Sequence, residues 1–139
     1  MDVVSRKDIE AAASRINGRV RRTPVIQLEE AAFGIDAEIF LKLELFQHTG
    51  SFKPRGAFNR ILSADVPRAG VITASGGNHG QAVAYASKVL GVDAEIFVPE
   101  GSPSLKAERI RRHGAALTVT GQYYDDAMDA CRARAMETG

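Results

Sequence analysis

The sequence predicts an α/β fold, a parallel sheet with helices on both faces. Three observations predict it. Short apolar runs at Val71 to Ala74, Ala94 to Val98 and Leu117 to Val119 alternate with longer stretches of helical periodicity. Gly91, Pro99 and Gly114 punctuate the joins. The apolar share of 45% in 139 residues suffices for a core without disulfides or metals. Strands and helices in strict alternation imply a parallel sheet with right-handed crossovers.

Each element has its own reason. Ser5 to Asn17 reads as a helix, with Ser5 as N-cap and Asp8 near the positive end. Ile9, Ala12, Ala13 and Ile16 repeat at helical spacing, and Gly18 stops the run. Arg22 to Val25 is extended because Pro24 pushes Thr23 out of the helical region. A helical turn is expected over Glu29 to Phe33, ending at Gly34. Glu38 to Leu43 reads as a strand with Ile39, Leu41 and Leu43 on one face. A loop through Gly50 leads to a helix over about Pro54 to Leu62. After the strand at Val71 to Ala74 comes Ser75-Gly76-Gly77-Asn78 and a helix to Leu90. Ser104 to His113 and Tyr123 to Met136 are the last two helices, the second with Tyr124, Ala127, Cys131 and Ala135 along one side.

Composition narrows the function classes. Eighteen Lys and Arg against 17 Asp and Glu leave a net charge of +1, so bulk charge gives no reason to expect a nucleic-acid partner. One Cys excludes an intrachain disulfide or a multi-cysteine metal site, and three scattered His form no metal constellation. No apolar stretch approaches the roughly 18 residues of a membrane span. Met1 to Lys7 has no apolar core of a secretory signal. The expectation is a soluble cytoplasmic protein without a membrane partner.

Two loops after strands are unlike connectors. In Gln47-His48-Thr49-Gly50-Ser51-Phe52-Lys53-Pro54-Arg55-Gly56-Ala57, Pro54 suits a first helical turn, which puts Lys53 at the junction of loop and helix. Partial desolvation beside Phe52 and a positive helix end would lower the pKa of the amine, as a nucleophile requires. A surface lysine at a helix start is the plainer alternative. In Ser75-Gly76-Gly77-Asn78-His79-Gly80 the glycines let backbone approach a ligand, and the following helix offers free amides to a phosphate or carboxylate. A plain tight turn is the alternative there. The loop is neither a dinucleotide fingerprint nor a P-loop.

Together the stretches resemble one family. Ser51-Phe52-Lys53-Pro54-Arg55-Gly56-Ala57 resembles the lysine motif of the serine/threonine dehydratase and serine racemase family of fold-type II pyridoxal-phosphate enzymes. Ser75-Gly76-Gly77-Asn78-His79-Gly80-Gln81-Ala82 resembles its asparagine loop. Thr23-Pro24, Lys42-Leu43-Glu44 and Pro99-Glu100-Gly101-Ser102-Pro103 with Lys106, Gly114 and Ala115 agree. The resemblance runs from about Ile9 to the last helix.

The resemblance implies roles. Lys53 would hold pyridoxal 5′-phosphate as a Schiff base and act as the base at the substrate Cα, the cofactor being the electron sink. Phe52 would pack by the cofactor ring, and Asn78 would hydrogen-bond its 3′-oxygen. The amides of Ser75, Gly76, Gly77, Asn78 and His79 would hold the substrate carboxylate. The implied reaction is dehydration and deamination of serine or threonine to a 2-oxo acid and ammonia. Cysteine synthases usually have Thr where this chain has His79, and threonine synthases usually have Asp where it has Pro54. Serine racemases usually carry a serine base in the place of Gly76, which disfavours racemisation here. A racemase or another β-hydroxy amino acid lyase is the alternative.

The same resemblance implies domains. Residues 1–45 would be an N-terminal segment of the large domain and residues 46–139 most of the small domain. The glycine-rich loop for the cofactor phosphate normally follows this region and has no counterpart after Tyr123. The chain is therefore expected to be the N-terminal part of a dehydratase that is a homodimer at full length, inactive by itself. The rival is a free-standing incompetent fold, at most a weak binding module. His48, His113 and the arginine clusters at Arg19 to Arg22 and Arg109 to Arg112 are expected to be solvated or locally paired, and Cys131 buried and inert.

Overall fold

The computed structural model describes residues 3–138. Helix α1 (Arg6–Ile16) starts on a reciprocal cap: the Asp8 amide donates to the Ser5 hydroxyl at 3.3 Å, and the Ser5 amide donates to the Asp8 carboxylate at 2.8 Å. Only Ile16 of its expected apolar face is buried, and Ile9 is 61% exposed. The periodicity marks a face correctly, but only its C-terminal end meets another element.

Strand β1 (Val25–Gln27) pairs antiparallel with β2 (Phe40–Lys42), Ile26 opposite Leu41. The expected strand over Glu38 to Leu43 shrinks to the three residues Phe40–Lys42. The expected turn at Glu29 to Phe33 appears later, as a 3₁₀ turn at Ala32–Gly34. Ala31 and Phe33 have φ of 55° and 60°, which no continuous helix accommodates. Two further 3₁₀ turns, Glu44–Phe46 and His48–Gly50, lead into helix α2 (Lys53–Leu62). Lys53 is itself the first helical residue, with the buried Pro54 next to it.

The rest alternates as expected. Strand β3 (Val71–Ala74), helix α3 (Asn78–Leu90), strand β4 (Ala94–Val98), helix α4 (Ser104–Arg111), strand β5 (Ala116–Val119) and helix α5 (Tyr124–Thr138) follow in order. Helix α4 stops two residues early, since Gly114 at φ 81° unwinds the chain behind it. The strands form one parallel sheet in the order β3-β4-β5, Ile72 opposite Glu95 and Phe97 opposite Thr118. Side chains alternate across it. Ile96 and Val98 pack with Phe58, Ala82, Ala86 and Ile110 on the face covered by α2, α3 and α4. Phe97 and Ala74 point the other way, onto Ala127 and Cys131 of α5. Helices therefore cover both faces, and Cys131 is buried. Among the described residues no helix is long and apolar enough to cross a membrane.

Candidate active site

The carboxyl ends of β3 and β4 and the starts of α2 and α3 build the site. The chain leaves β3 through a bond from the Ser75 amide to the Phe97 carbonyl at 2.9 Å, which holds the loop mouth to β4. The Ser75 hydroxyl then accepts from the Gly77 amide at 3.3 Å. Helix α3 has Gly77 as its N-cap and no side-chain cap, so the amides that open the helix face outward without an internal acceptor. The turn is forced tight at Gly80: a Cβ there would stand 2.1 Å from the Ser75 carbonyl oxygen. No Cβ fits that gap, so the glycine is a steric requirement.

The lysine loop is built differently. Thr49 has φ of 61°, a strained conformation for a β-branched residue, just ahead of the point where Ser51-Phe52-Lys53 gives way to helix. The hydroxyls of Thr49 and Ser51 are buried without a hydrogen-bond partner. The ring of Phe52 is 59% exposed and carries the Lys53 ammonium 5.1 Å from its centroid. The loop thus presents a primary amine beside a bare aromatic face.

His79, at the start of α3, lines one cavity with Gly56 and Ala57 of α2. Its pKa is lowered first by burial and second by the charge of Lys53. The cavity measures about 370 Å³ and is also lined by Arg60, Thr73 and Val83. A larger hollow of about 480 Å³ under the turn at residues 27–38 is lined by Glu29, Glu30, Asp36 and Glu38 and by no residue of either loop. Its carboxylates would repel an anionic ligand.

A polar clasp that local sequence does not announce braces the segment next to the lysine loop. Glu44 accepts from Arg55 twice, from Nε at 2.8 Å and Nη2 at 2.7 Å, and from the Thr23 hydroxyl at 2.5 Å. The Arg55 hydrogen bonds hold the Glu44 carboxyl down to about 2, against a smaller opposing effect of burial. Gln47, 2% exposed, accepts from the Arg21 amide at 2.8 Å and donates to the Arg21 carbonyl at 2.9 Å. The clasp pins the segment before the lysine loop to the first turn of α2. The stretch Lys42-Leu43-Glu44 carries the signal for it, though nothing local ties it to Arg55.

Every sequence-derived site residue therefore lies on one of two adjoining loops. Ser75, Gly76, Gly77, Asn78 and His79 form the uncapped start of α3, and Phe52 and Lys53 the start of α2. The groups present fit pyridoxal phosphate on the donor side: an amine, an exposed aromatic ring, an exposed Asn78 amide and two orphaned hydroxyls. His48 and His113, by contrast, are locally paired on either side of Tyr85, with centroids at 4.8 and 5.4 Å.

The chain is similar to known proteins along nearly its whole length. The family model described as "Pyridoxal-phosphate dependent enzyme" matches residues 16–139. The catabolic L-threonine dehydratase of Staphylococcus aureus (strain USA300) is 42% identical over 127 residues, 89% of this chain and 37% of that protein. The serine racemase structure of Dictyostelium discoideum superposes with a TM-score of 0.85 at 38% identity, over 97% of this chain and 45% of that one. The threonine deaminase structure of T.th. gives a TM-score of 0.84 at 38% identity, over 98% of this chain and 43% of that one. The chain thus spans less than half the length of these relatives.

Proposed function

The chain belongs to the pyridoxal-phosphate dependent enzyme family, and from that premise we propose that it carries the lysine and substrate loops of an ammonia-lyase that, at full length, converts serine or threonine to a 2-oxo acid and ammonia. The observation that carries this reading is the cavity that His79, at the uncapped start of α3, shares with Gly56 and Ala57 of α2, the helix that Lys53 opens. It supports reading the amine and the free helix amides as parts of one site.

Bound pyridoxal phosphate supplies the electron sink that the side chains lack. Lys53 anchors it and moves the proton at the substrate Cα. Phe52 would pack by the cofactor ring, and Asn78 would hydrogen-bond its 3′-oxygen. The amides of Ser75 to His79 orient the amino acid by its carboxylate. Residues 1–45 are assigned to the larger domain and residues 46–139 to the smaller one. The apolar surface that β1 and β2 leave bare at Val25, Ile26 and Phe40 supports that division. A homodimer and a cytoplasmic location complete the reading, on resemblance and composition. Serine racemisation is the second reading, favoured by the structural likeness to serine racemases. It lacks a side-chain base at Gly76.

The test is to mix the chain with pyridoxal phosphate, reduce with borohydride and map the modified peptide by mass. Modification confined to Lys53 and lost in Lys53→Ala is expected. Equal labelling of surface lysines would refute the assignment of Lys53. Assaying the full-length protein for 2-oxo acid against D-serine then separates the lyase from the racemase.

A further inference from the structure

Of the two adjacent glycines in the loop after β3, only Gly76 is crowded. A Cβ on Gly77 would meet nothing within 4 Å, whereas one on Gly76 would stand 2.8 Å from the Ser102 hydroxyl and 3.7 Å from Val98 Cγ1. Neither glycine has a positive φ, so the backbone does not require glycine at 76. What it requires is room for Ser102. That serine belongs to the loop after β4, the parallel neighbour of β3, so both loops spring from the carboxyl end of the sheet. The Ser102 amide donates to the Pro99 carbonyl at 3.0 Å, a turn that folds the half-buried residue back over the β3 loop. A side chain at 76 and the hydroxyl at 102 compete for one place.

We infer that Ser102 is a substrate-positioning residue: its hydroxyl, lodged over Gly76, donates to the carboxylate of an amino acid held at the start of α3. This rests on the proposed reading of the Ser75 to His79 loop and extends it to a residue of the neighbouring loop. A small hydroxyl on a second loop closes the cradle from the side that the backbone amides leave open. It makes the cradle a product of two strands rather than of one helix end.

The test is an ¹⁵N amide titration of the chain with L-serine, and with ethanolamine as the same molecule without its carboxylate. L-Serine is expected to shift the amides of Ser75 to His79, and ethanolamine to leave them in place. Ser102→Ala is expected to bind L-serine about tenfold more weakly, the effect of one hydrogen bond to a charged group. Ser102→Thr, which keeps the hydroxyl, should stay within about twofold of the parent on the same grounds. Gly76→Ala should match Ser102→Ala by displacing the hydroxyl, and the double variant should weaken binding no further. Unchanged affinity in Ser102→Ala, or equal loss in Ser102→Thr, would overturn the role of Ser102 alone. Absence of shifts in the parent, or equal shifts with ethanolamine, would overturn the reading of the loop itself.

Discussion

Arg55 closes a two-pronged bridge on Glu44, with bonds of 2.8 and 2.7 Å, and it does so in the same helical turn as Lys53. The planar guanidinium matches both carboxylate oxygens, so the bridge fixes orientation as well as distance. Glu44 also takes the Thr23 hydroxyl, which brings a third stretch of chain to the same point. The carboxyl titrates near 2 instead of its ordinary 4.5. Its contribution is therefore present above pH 4.5 and lost as pH falls toward 2. Urea midpoints across that window should fall for the parent and stay flatter for Glu44→Gln. At neutral pH the variant should be less stable by roughly 1–2 kcal/mol, after allowing for solvent screening.

Glycine substitutions separate steric need from habit. Gly80→Ala drives a methyl against the Ser75 carbonyl and Ile96 Cγ2, at 2.1 and 3.2 Å. Since the nearest atom is backbone, the loop must shift, at a cost of about 1–3 kcal/mol. Gly56, inside α2, has nothing within 4 Å and no positive φ. Gly56→Ala should therefore stabilise by about 0.5–1 kcal/mol through helix propensity. Thermal unfolding of the two variants should move in opposite directions.

The contrast shows what the sequence could and could not disclose. Strands β3 and β4 were legible to the residue, because three or four apolar positions sit between glycine and proline punctuation and are covered on both faces. The two candidate loops stood out because their residue types are rare together. The apolar stripe of α1 was legible as a stripe, yet Ile9 stays largely exposed, and periodicity does not say what covers a face. Glu44 with Arg55, and Gly76 with Ser102, were not legible as pairs. Each joins residues of different elements, and no local spacing encodes where a turn will bring them.

The histidines flanking Tyr85 predict an acid response. His48 stacks on the ring and His113 meets its edge, and both pKa values are lowered, first by burial and then by Arg21 and Lys88 respectively. The unfolded chain binds these protons more readily than the folded one. Stability is then complete above the ordinary 6.5 and declines as pH falls through the lowered values. Chemical denaturation of the parent between neutral and mildly acid pH should show this decline. The double variant His48→Gln, His113→Gln should lessen it.

His79 offers a direct ruler for the position of Lys53. Burial lowers its pKa first, and the Lys53 ammonium adds to the effect by repelling a second positive charge. A ¹H–¹³C titration of the imidazole should give a midpoint below the ordinary 6.5. Lys53→Met removes the charge and keeps a long side chain, so the midpoint should rise. It should not return fully, because burial remains. Replacing Lys88 instead should leave His79 unmoved and raise His113, whose pKa that lysine depresses. A His79 midpoint indifferent to Lys53 would put the ammonium too far from the imidazole to act on it, and would count against a mouth shared by the two loops.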